Sequence, residues 1–171
     1  DILQEQGGSL STEVTLAIGI KLISALKHIH DRGIVHRDLK PQNMMLSKDT
    51  DSTQIFVIDF GLSKWFEDPV TGHIPYQTNK RGLTGTPRYT SVSSHMGAEQ
   101  SRRDDLESLV YILCYLRSGS LPWQGVRGKT KQEKYDTIKQ RKQNISDRRL
   151  ATNFPPSFAK FVKMLLEILK I

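Results

Sequence analysis

The sequence predicts a mostly helical domain with one small β-hairpin, and three observations lead to this prediction. Two long segments, 11–32 and 104–119, carry apolar residues in the pattern of buried helices. Two short apolar runs, 44–46 and 54–58, are joined by a polar stretch. A last amphipathic segment follows two prolines near the end of the 171 residues. A chain of this length can bury about 70% of the surface that it exposes when unfolded, so it can hold a real core.

The first helix is predicted over residues 11–32. Ser11 suits the N-cap, because its hydroxyl can accept a bond from a free amide of the first turn. Gly33 suits the C-terminal stop. Apolar residues recur between them at spacings of three and four, and this buried stripe consists of Val14, Ile18, Leu22, Leu26 and Ile29.

The hairpin is predicted to pair residues 44–46 with 54–58 across the polar string "SKDTDST". Residues 62–100 then carry glycines, prolines, serines and threonines with no sustained period. The prediction there is an extended loop of about 40 residues, which is uncommon and usually functional.

The second half of the chain predicts three helices. Residues 104–119, "DDLESLVYILCYLRSG", are apolar nearly all round, which indicates a buried central helix that ends at Gly119. Residues 129–142 predict a charged surface helix. A last helix is expected after Pro155 and Pro156, with one apolar side formed by Phe158, Phe161, Val162, Leu165 and Leu169.

The composition is typical of a soluble globular protein, with 37% apolar and 25% charged residues. No apolar run approaches the ~20 residues of a membrane span, and the first residues lack the features of a signal peptide. The single cysteine, Cys114, has apolar neighbours and is expected to pack in the core. One unpaired thiol fits a reducing compartment, so we expect a cytoplasmic or nuclear protein.

The charge balance is 25 basic against 18 acidic residues, an excess of +7. Such an excess favours an anionic partner, which could be nucleic acid, phosphorylated protein or a membrane surface, or it could be only a solvated basic face. The basic residues are scattered among acids with no aromatic stacking platform, so we do not expect a nucleic-acid partner.

The string "GIVHRDLKPQNMML" and the later "IFVIDFG" place polar residues beside the predicted hairpin. If the two strands pair, Asn43 enters the hairpin and Asp59 leaves it at the same end. A carboxylate beside a carboxamide oxygen makes a hard oxygen site, which suits Mg²⁺. The hairpin therefore predicts a magnesium site.

Asp38 precedes Asn43 by five residues, in a loop that must fold back because Pro41 prevents a helix from continuing. Its carboxylate can then accept a proton from an incoming hydroxyl. Lys40 can offset charge on a transferring phosphoryl group. Together these residues predict a phosphoryl-transfer site.

The run "HRDLKPQN" at 36–43, followed 16 residues after Asn43 by "DFG" at 59–61, resembles the protein kinase signature. The resemblance implies that Asp38 is the catalytic base and that Lys40 contacts the phosphate. It also implies that Asn43 and Asp59 hold Mg²⁺ with ATP.

Later residues extend the resemblance. Thr86, in "GTPRY", corresponds to the threonine that hydrogen-bonds near the base, and Asp105 corresponds to the helix acid that holds the catalytic loop through its backbone. The activation segment is expected over 59–100. The expected fold is accordingly that of the C-terminal lobe of a kinase domain.

Four further strings, "HIPY", "LTGTPRY", "GAEQSRRDDLESLVY" and "GSLPWQG", are similar to those of the casein kinase 1 family. The resemblance covers about residues 12–142. Members of that family phosphorylate serines or threonines downstream of acidic or phosphorylated residues, so the expected partners are protein substrates of this kind. As in that family, no Ala-Pro-Glu follows the activation loop. The string "SVSS" stands near the position where the family usually has Ser-Ile-Asn.

The same resemblance implies two anion sites. The first consists of Arg88, Gln124, Gly125 and Lys134. The second consists of Arg37, Lys64 and either Lys80 or Arg81. Arginine forks and lysine ammonium groups are good phosphate receptors, which would give the basic excess a purpose.

A kinase closes over ATP with a glycine-rich loop and a strand lysine, and residues 1–35 contain no G-x-G-x-x-G. Lys21, in "AIGIK", lies inside the predicted first helix and is not expected to be the ATP lysine. The 171 residues therefore resemble the C-terminal lobe alone, and by themselves we expect them to be inactive. The rival interpretation is a non-catalytic kinase-like module or scaffold that binds phosphorylated partners.

Overall fold

The computed structural model describes residues 6–47, 54–68, 70–75, 77 and 82–168, with side chains up to residue 164. The helices are α1 (Thr12–His30), α2 (Val92–His95), α3 (Arg102–Ser118), α4 (Lys131–Asn144), α5 (Asp147–Leu150) and α6 (Pro156–Ile168). The strands are β1 (Ile34–Val35), β2 (Met44–Leu46), β3 (Ile55–Val57), β4 (Lys64–Trp65), β5 (Glu67–Asp68) and β6 (Gly72–His73). The mostly helical fold with a small hairpin is confirmed.

Helix α1 begins as predicted, because the Ser11 hydroxyl accepts the Val14 amide at 3.3 Å. Its buried stripe is rotated from the predicted one, and it consists of Thr15, Gly19, Leu22, Leu26 and Ile29. Val14 was wrongly placed in this stripe, since it is 48% exposed. The rotation brings Gly19 against α3, where a Cβ would lie 3.2 Å from Leu113 Cδ1, so a larger residue would require the Leu113 side chain to shift.

Helix α3 is the buried centre of the fold, as predicted, and spans two residues more at its start. Ser101 and Asp104 cap its N-terminus reciprocally. Gly119 ends it in the left-handed conformation, with φ +71°. Cys114 is buried in the core that α3 organises, and so is Trp123.

The predicted hairpin is confirmed, and its strands pair residues 44–46 with 55–57, whereas pairing with 56–58 would place the register one residue away. Met44 lies opposite Val57, and Leu46 lies opposite Ile55. The Ile58 amide continues the ladder by donating to the Asn43 carbonyl at 2.9 Å. The two polar ends of the hairpin are therefore fixed next to each other.

Residues 62–100 were wrongly predicted as an extended loop without regular structure. Strand β4 pairs with β1, and β5 pairs with β6, all antiparallel. The one-turn helix α2 follows, capped by Ser91. Strands of two residues are too short to show an alternation, so periodicity in the sequence could not reveal them.

The C-terminal helices lie close to their predicted places, and the short helix α5 was not predicted. In α6, Phe158 and Val162 are buried and Phe161 is partly buried, as expected. The Leu165 and Leu169 side chains lie outside the described part of the chain. Within the described residues, none of the helices combines the length and hydropathy that crossing a membrane requires.

Candidate active site

The loop that follows β1 is held by a buried carboxylate of α3. Asp105 is 1% exposed. One of its oxygens accepts the His36 amide at 2.8 Å, and the other accepts the Arg37 amide at 2.9 Å. These bonds hold Arg37 in the left-handed conformation at φ +69°, which is unfavourable for a residue with a Cβ. Asp105 therefore holds the loop through its backbone, as the sequence resemblance implied.

A second set of bonds comes from His36, whose side chain is fully buried. Its Nδ1 accepts the Asp38 amide at 3.3 Å, which leaves Nε2 to donate to the Ile58 carbonyl at 3.1 Å. Its ring also meets the ring of Phe60 edge-on, with centroids 5.2 Å apart. His36 thus ties the loop to the segment 58–60, a role that we did not infer from the sequence.

A second histidine also supports the loop. His30, in the last turn of α1, bonds through Nε2 to the Asp105 carboxylate at 2.9 Å. No sequence pattern pointed to this contact, because the two residues are 75 positions apart. The only available signal was a histidine at the buried end of an amphipathic helix.

Asp38 lies at the centre of the site with a side chain that is 8% exposed. Its Oδ1 accepts both the amide and the hydroxyl of Thr86, at 2.8 and 2.7 Å. Its Oδ2 accepts the Lys40 ammonium at 2.5 Å. The structure therefore brings Asp38, Lys40 and Thr86 together, as predicted. One carboxylate oxygen is fixed by two donors, and the other is paired with the ammonium group of Lys40.

The approach of the segment around Thr86 depends on Gly85. Its φ is +91°, and a Cβ there would lie 2.4 Å from the Arg37 carbonyl oxygen. No side chain fits at that distance. Gly85 therefore allows the backbone of this segment to pack directly against the loop that carries Arg37 and Asp38.

Asn43 and Asp59 flank the hairpin at its polar end. The side-chain nitrogen of the buried Asn43 donates to the Asp38 carbonyl at 3.0 Å. The side-chain oxygen of Asn43 takes no part in this bond and is the atom that could bind a cation. Asp59 is exposed, has φ +65°, and accepts the Gly61 amide at 3.3 Å. A carboxamide oxygen and an exposed carboxylate at one hairpin end form a donor set that fits Mg²⁺.

Next to these residues, the hairpin exposes an apolar surface. Met45 and Phe56 lie opposite each other in the register and are 52% and 51% exposed, and Ile58 is 36% exposed. Alternate residues of an extended chain share a face, and Ile58 continues the ladder after β3, so Phe56 and Ile58 lie on one side of the hairpin. Exposed apolar area of this kind commonly marks a ligand or partner surface.

The residues of the first implied anion site are partly brought together. Arg88 lies next to the loop after α3, because its carbonyl accepts the Trp123 Nε1–H at 2.7 Å. Its guanidinium lies 5.8 Å from the ring centroids of Tyr89 and Tyr115. Gln124 caps the backbone of the same loop by accepting the Leu121 amide at 2.6 Å. Gly125 follows it with φ +68°.

Lys134, the fourth residue of that site, is exposed on the first turn of α4. The described side-chain contacts include no hydrogen bond or ion pair that joins it to Arg88 or Gln124.

The second implied anion site contains an acid that the sequence analysis missed. The Lys64 ammonium lies 3.0 Å from the Glu99 carboxylate, and an Arg37 guanidinium nitrogen lies 4.0 Å from the same oxygen. Arg37 also donates through Nε to the Leu62 carbonyl at 2.6 Å. Lys80 and Arg81 lie outside the described residues. The two described cations are thus brought together, but around a carboxylate that offsets part of their charge.

One comparison with known proteins bears on this geometry. Residues 1–170 match the family model described as the protein kinase domain. The match spans the loop that holds Asp38, the hairpin and the central helix. This chain belongs to the protein kinase family.

Proposed function

We propose that this chain carries the catalytic residues for phosphoryl transfer from ATP to serine or threonine side chains of proteins. The observation that carries the proposal is the Asp38 carboxylate, with one oxygen held by Thr86 and the other paired with Lys40. A carboxylate oriented in this way can accept the proton of an incoming hydroxyl.

Each residue of the site has a distinct part in this proposal. Thr86 fixes the rotamer of Asp38, so that Oδ2 is the oxygen that receives the substrate proton. Lys40 can move from Oδ2 to a transferring phosphoryl group and offset its charge. Asn43 and Asp59 would hold Mg²⁺, which neutralises developing charge on the phosphates when it is bound. The exposed face of Met45, Phe56 and Ile58 offers an apolar platform for the nucleotide base.

We further propose that the enzyme is of the casein kinase 1 type and favours acidic or phosphorylated substrates. The motif strings in residues 12–142 and the excess of seven positive charges support this. Arg88 is the better candidate for the phosphate receptor, because Arg37 and Lys64 already share the Glu99 carboxylate. Its position two residues after Thr86 would bring the receptor close to the candidate base. The lone thiol supports a cytoplasmic or nuclear location.

The first experiment tests catalysis in the full gene product, including any glycine-rich loop encoded upstream. We expect Mg²⁺-dependent transfer of phosphate from ATP to a primed peptide, and a loss of at least about 10²-fold for Asp38→Asn. Asp31→Asn is the matched control, because Asp31 is exposed at the end of α1 and its carboxylate pairs with Lys27. Full activity in Asp38→Asn would contradict the assignment of the base.

The second experiment tests substrate choice. Arg88→Glu is expected to reduce transfer to a phosphorylated peptide selectively, because reversing the charge repels the priming phosphate. The unprimed version of the same peptide is the control substrate. An equal loss on both peptides would count against Arg88 as the receptor.

A second candidate function is a non-catalytic module that binds phosphorylated partners, and it is favoured by the excess of seven positive charges. We expect the 171 residues alone to bind ATP poorly and to transfer no phosphate. Titration calorimetry of this chain with phosphorylated and unphosphorylated peptides separates the two functions. Phosphopeptide binding without any activity in the full gene product would favour the module.

A further inference from the structure

Lys142, in the last turn of α4, has a buried ammonium group, although lysine is almost never fully buried without partners. Lys142 as a whole is 4% exposed. The ammonium donates to the Pro87 carbonyl at 2.9 Å and also to the Thr90 carbonyl. It lies 4.6 Å from the ring centroid of Tyr111 and 5.1 Å from that of Trp123. Helix α4 thus reaches directly into the segment that follows Thr86.

The charge of this lysine is balanced by Glu107, a buried acid of α3. One Glu107 oxygen accepts the Tyr111 hydroxyl at 2.5 Å and the Val92 amide at 2.8 Å. Burial lowers the pKa of Lys142 to about 7, while the Glu107 carboxylate opposes this shift. The neutral amine still has two N–H donors, so both carbonyl bonds can persist in either protonation state.

Residues 86–90 form a tight turn whose carbonyls are fixed one after another. The Thr86 carbonyl accepts the Thr90 amide at 3.0 Å and its hydroxyl at 2.9 Å. The Pro87 carbonyl is shared by Lys142 and by His95 Nε2 at 3.2 Å. The Arg88 carbonyl accepts from Trp123. Lys142 is the donor that bridges the turn, since it binds carbonyls at both Pro87 and Thr90.

The first residue of this turn is the one that binds Asp38. The Thr86 amide and hydroxyl both donate to the same Asp38 oxygen, so a shift of the turn would move both donors together. We propose that Lys142 is a positioning residue, which fixes the turn 86–90 in the geometry where Thr86 holds the Asp38 carboxylate. The catalytic consequence rests on the proposed function, whereas the positioning itself does not.

The test is amide hydrogen exchange measured by NMR on the 171-residue chain, with Lys142→Met as the variant. Methionine keeps the length of the side chain and removes both donors and the charge. We expect the Thr86 amide to exchange about tenfold faster relative to the amide of Ile112 at the centre of α3, the factor that one hydrogen bond of ordinary net strength allows. Lys139→Met is the matched control, because Lys139 lies on the same helix and pairs with Asp136 at 2.8 Å near the surface. It should leave the ratio unchanged.

Two results would overturn the proposal. An equal increase at Thr86 and Ile112 would show that Lys142 only stabilises the fold, and no increase at either would show that the turn does not depend on it. If Lys142→Met does not fold, the wild-type chain supplies the test. Nuclear Overhauser contacts from the Lys142 side chain to Pro87 and Thr90 are then expected, and their absence would contradict the proposal. Because none of these measurements requires phosphoryl transfer, their outcome is independent of the proposed activity.

Discussion

Replacing Asp105 with asparagine should destabilise the protein far more than the same change at its neighbour Asp104. Both carboxylates are buried in the first turn of α3. They differ in their partners. Asp105 accepts two backbone amides and His30, whereas Asp104 accepts the Ser91 hydroxyl and the Ser101 amide. Asp104 also lies 3.6 Å from the guanidinium Nε of the partly exposed Arg103.

The magnitude follows from counting donors. If the new amide oxygen keeps the His36 and His30 bonds, the new NH₂ group faces the Arg37 N–H, and that charge-assisted bond is lost. Such a bond contributes about 1.5–3 kcal/mol, and the two remaining bonds lose their ionic partner, so we expect a loss of about 3 kcal/mol. At Asp104 an asparagine can accept from Ser101 and donate to the Ser91 oxygen, so its loss should stay below about 1 kcal/mol. Burial also raises the pKa of Asp104, so removing its charge costs less.

The assay is urea unfolding at pH 7, followed through the fluorescence of the buried Trp123. The free energy of unfolding should fall about 3 kcal/mol for Asp105→Asn and by less than about 1 kcal/mol for Asp104→Asn. Position 105 should require a carboxylate because its oxygens accept from His30 and from the amides of His36 and Arg37. Equal losses of unfolding free energy in the two variants would refute this reasoning.

Two further changes test other parts of the structure. Gly85→Ala should lower the free energy of unfolding by about 2–3 kcal/mol, because the new Cβ would clash with the Arg37 carbonyl oxygen and the backbone has a positive φ. Gly82→Ala is the control and should change little, because nothing lies within 4 Å of a Cβ at that position. Similar urea midpoints for the two variants would contradict this prediction. Burial, with the nearby charge of Lys142, lowers the pKa of His95 from 6.5 to about 4. The folded state then binds fewer protons than the unfolded state between these values, so stability should fall by about 2 kcal/mol as the pH drops from 6.5 to 4. His95→Gln should remove that part of the pH dependence, and an unchanged pH profile would count against the buried neutral histidine.

The sequence predicted the elements with strong periodic or motif signals. The central helix was visible because it is apolar nearly all round, and the hairpin was visible because two short apolar runs flank a polar loop. The hairpin then required Asn43 and Asp59 to share one end, which the register from Met44 to Val57 bears out. Local pattern was sufficient wherever neighbours in sequence decide the structure.

The features that were missed depend on residues far apart in the chain. The stripe of α1 is rotated because Gly19 lets the helix approach Leu113, and no spacing within residues 11–32 encodes that contact. Among the short strands in 62–100, β4 forms by pairing with β1, which lies about 30 residues earlier in the chain. Glu99 was read only as part of a motif, although it pairs with Lys64 at 3.0 Å. Tertiary partners, rather than propensity, fixed these parts.

The acids at the start of α3 show how one short string organises the site. The string "DDLE" places negative charge at a helix N-terminus, where it stabilises the helix by interacting with the helix dipole. In the fold all three acids are buried, and together they bind two other segments of the chain. Asp104 binds Ser91 before α2, and Glu107 binds the Val92 amide at the start of α2. Asp105 binds the loop at His36 and Arg37. The most buried helix therefore fixes both segments that converge on Asp38, one through the backbone before it and one through the turn that carries Thr86. Because Asp105 binds one segment whereas Asp104 and Glu107 bind the other, neutralising Asp105 or Asp104 should loosen different parts of the site, and the paired asparagine variants separate the two.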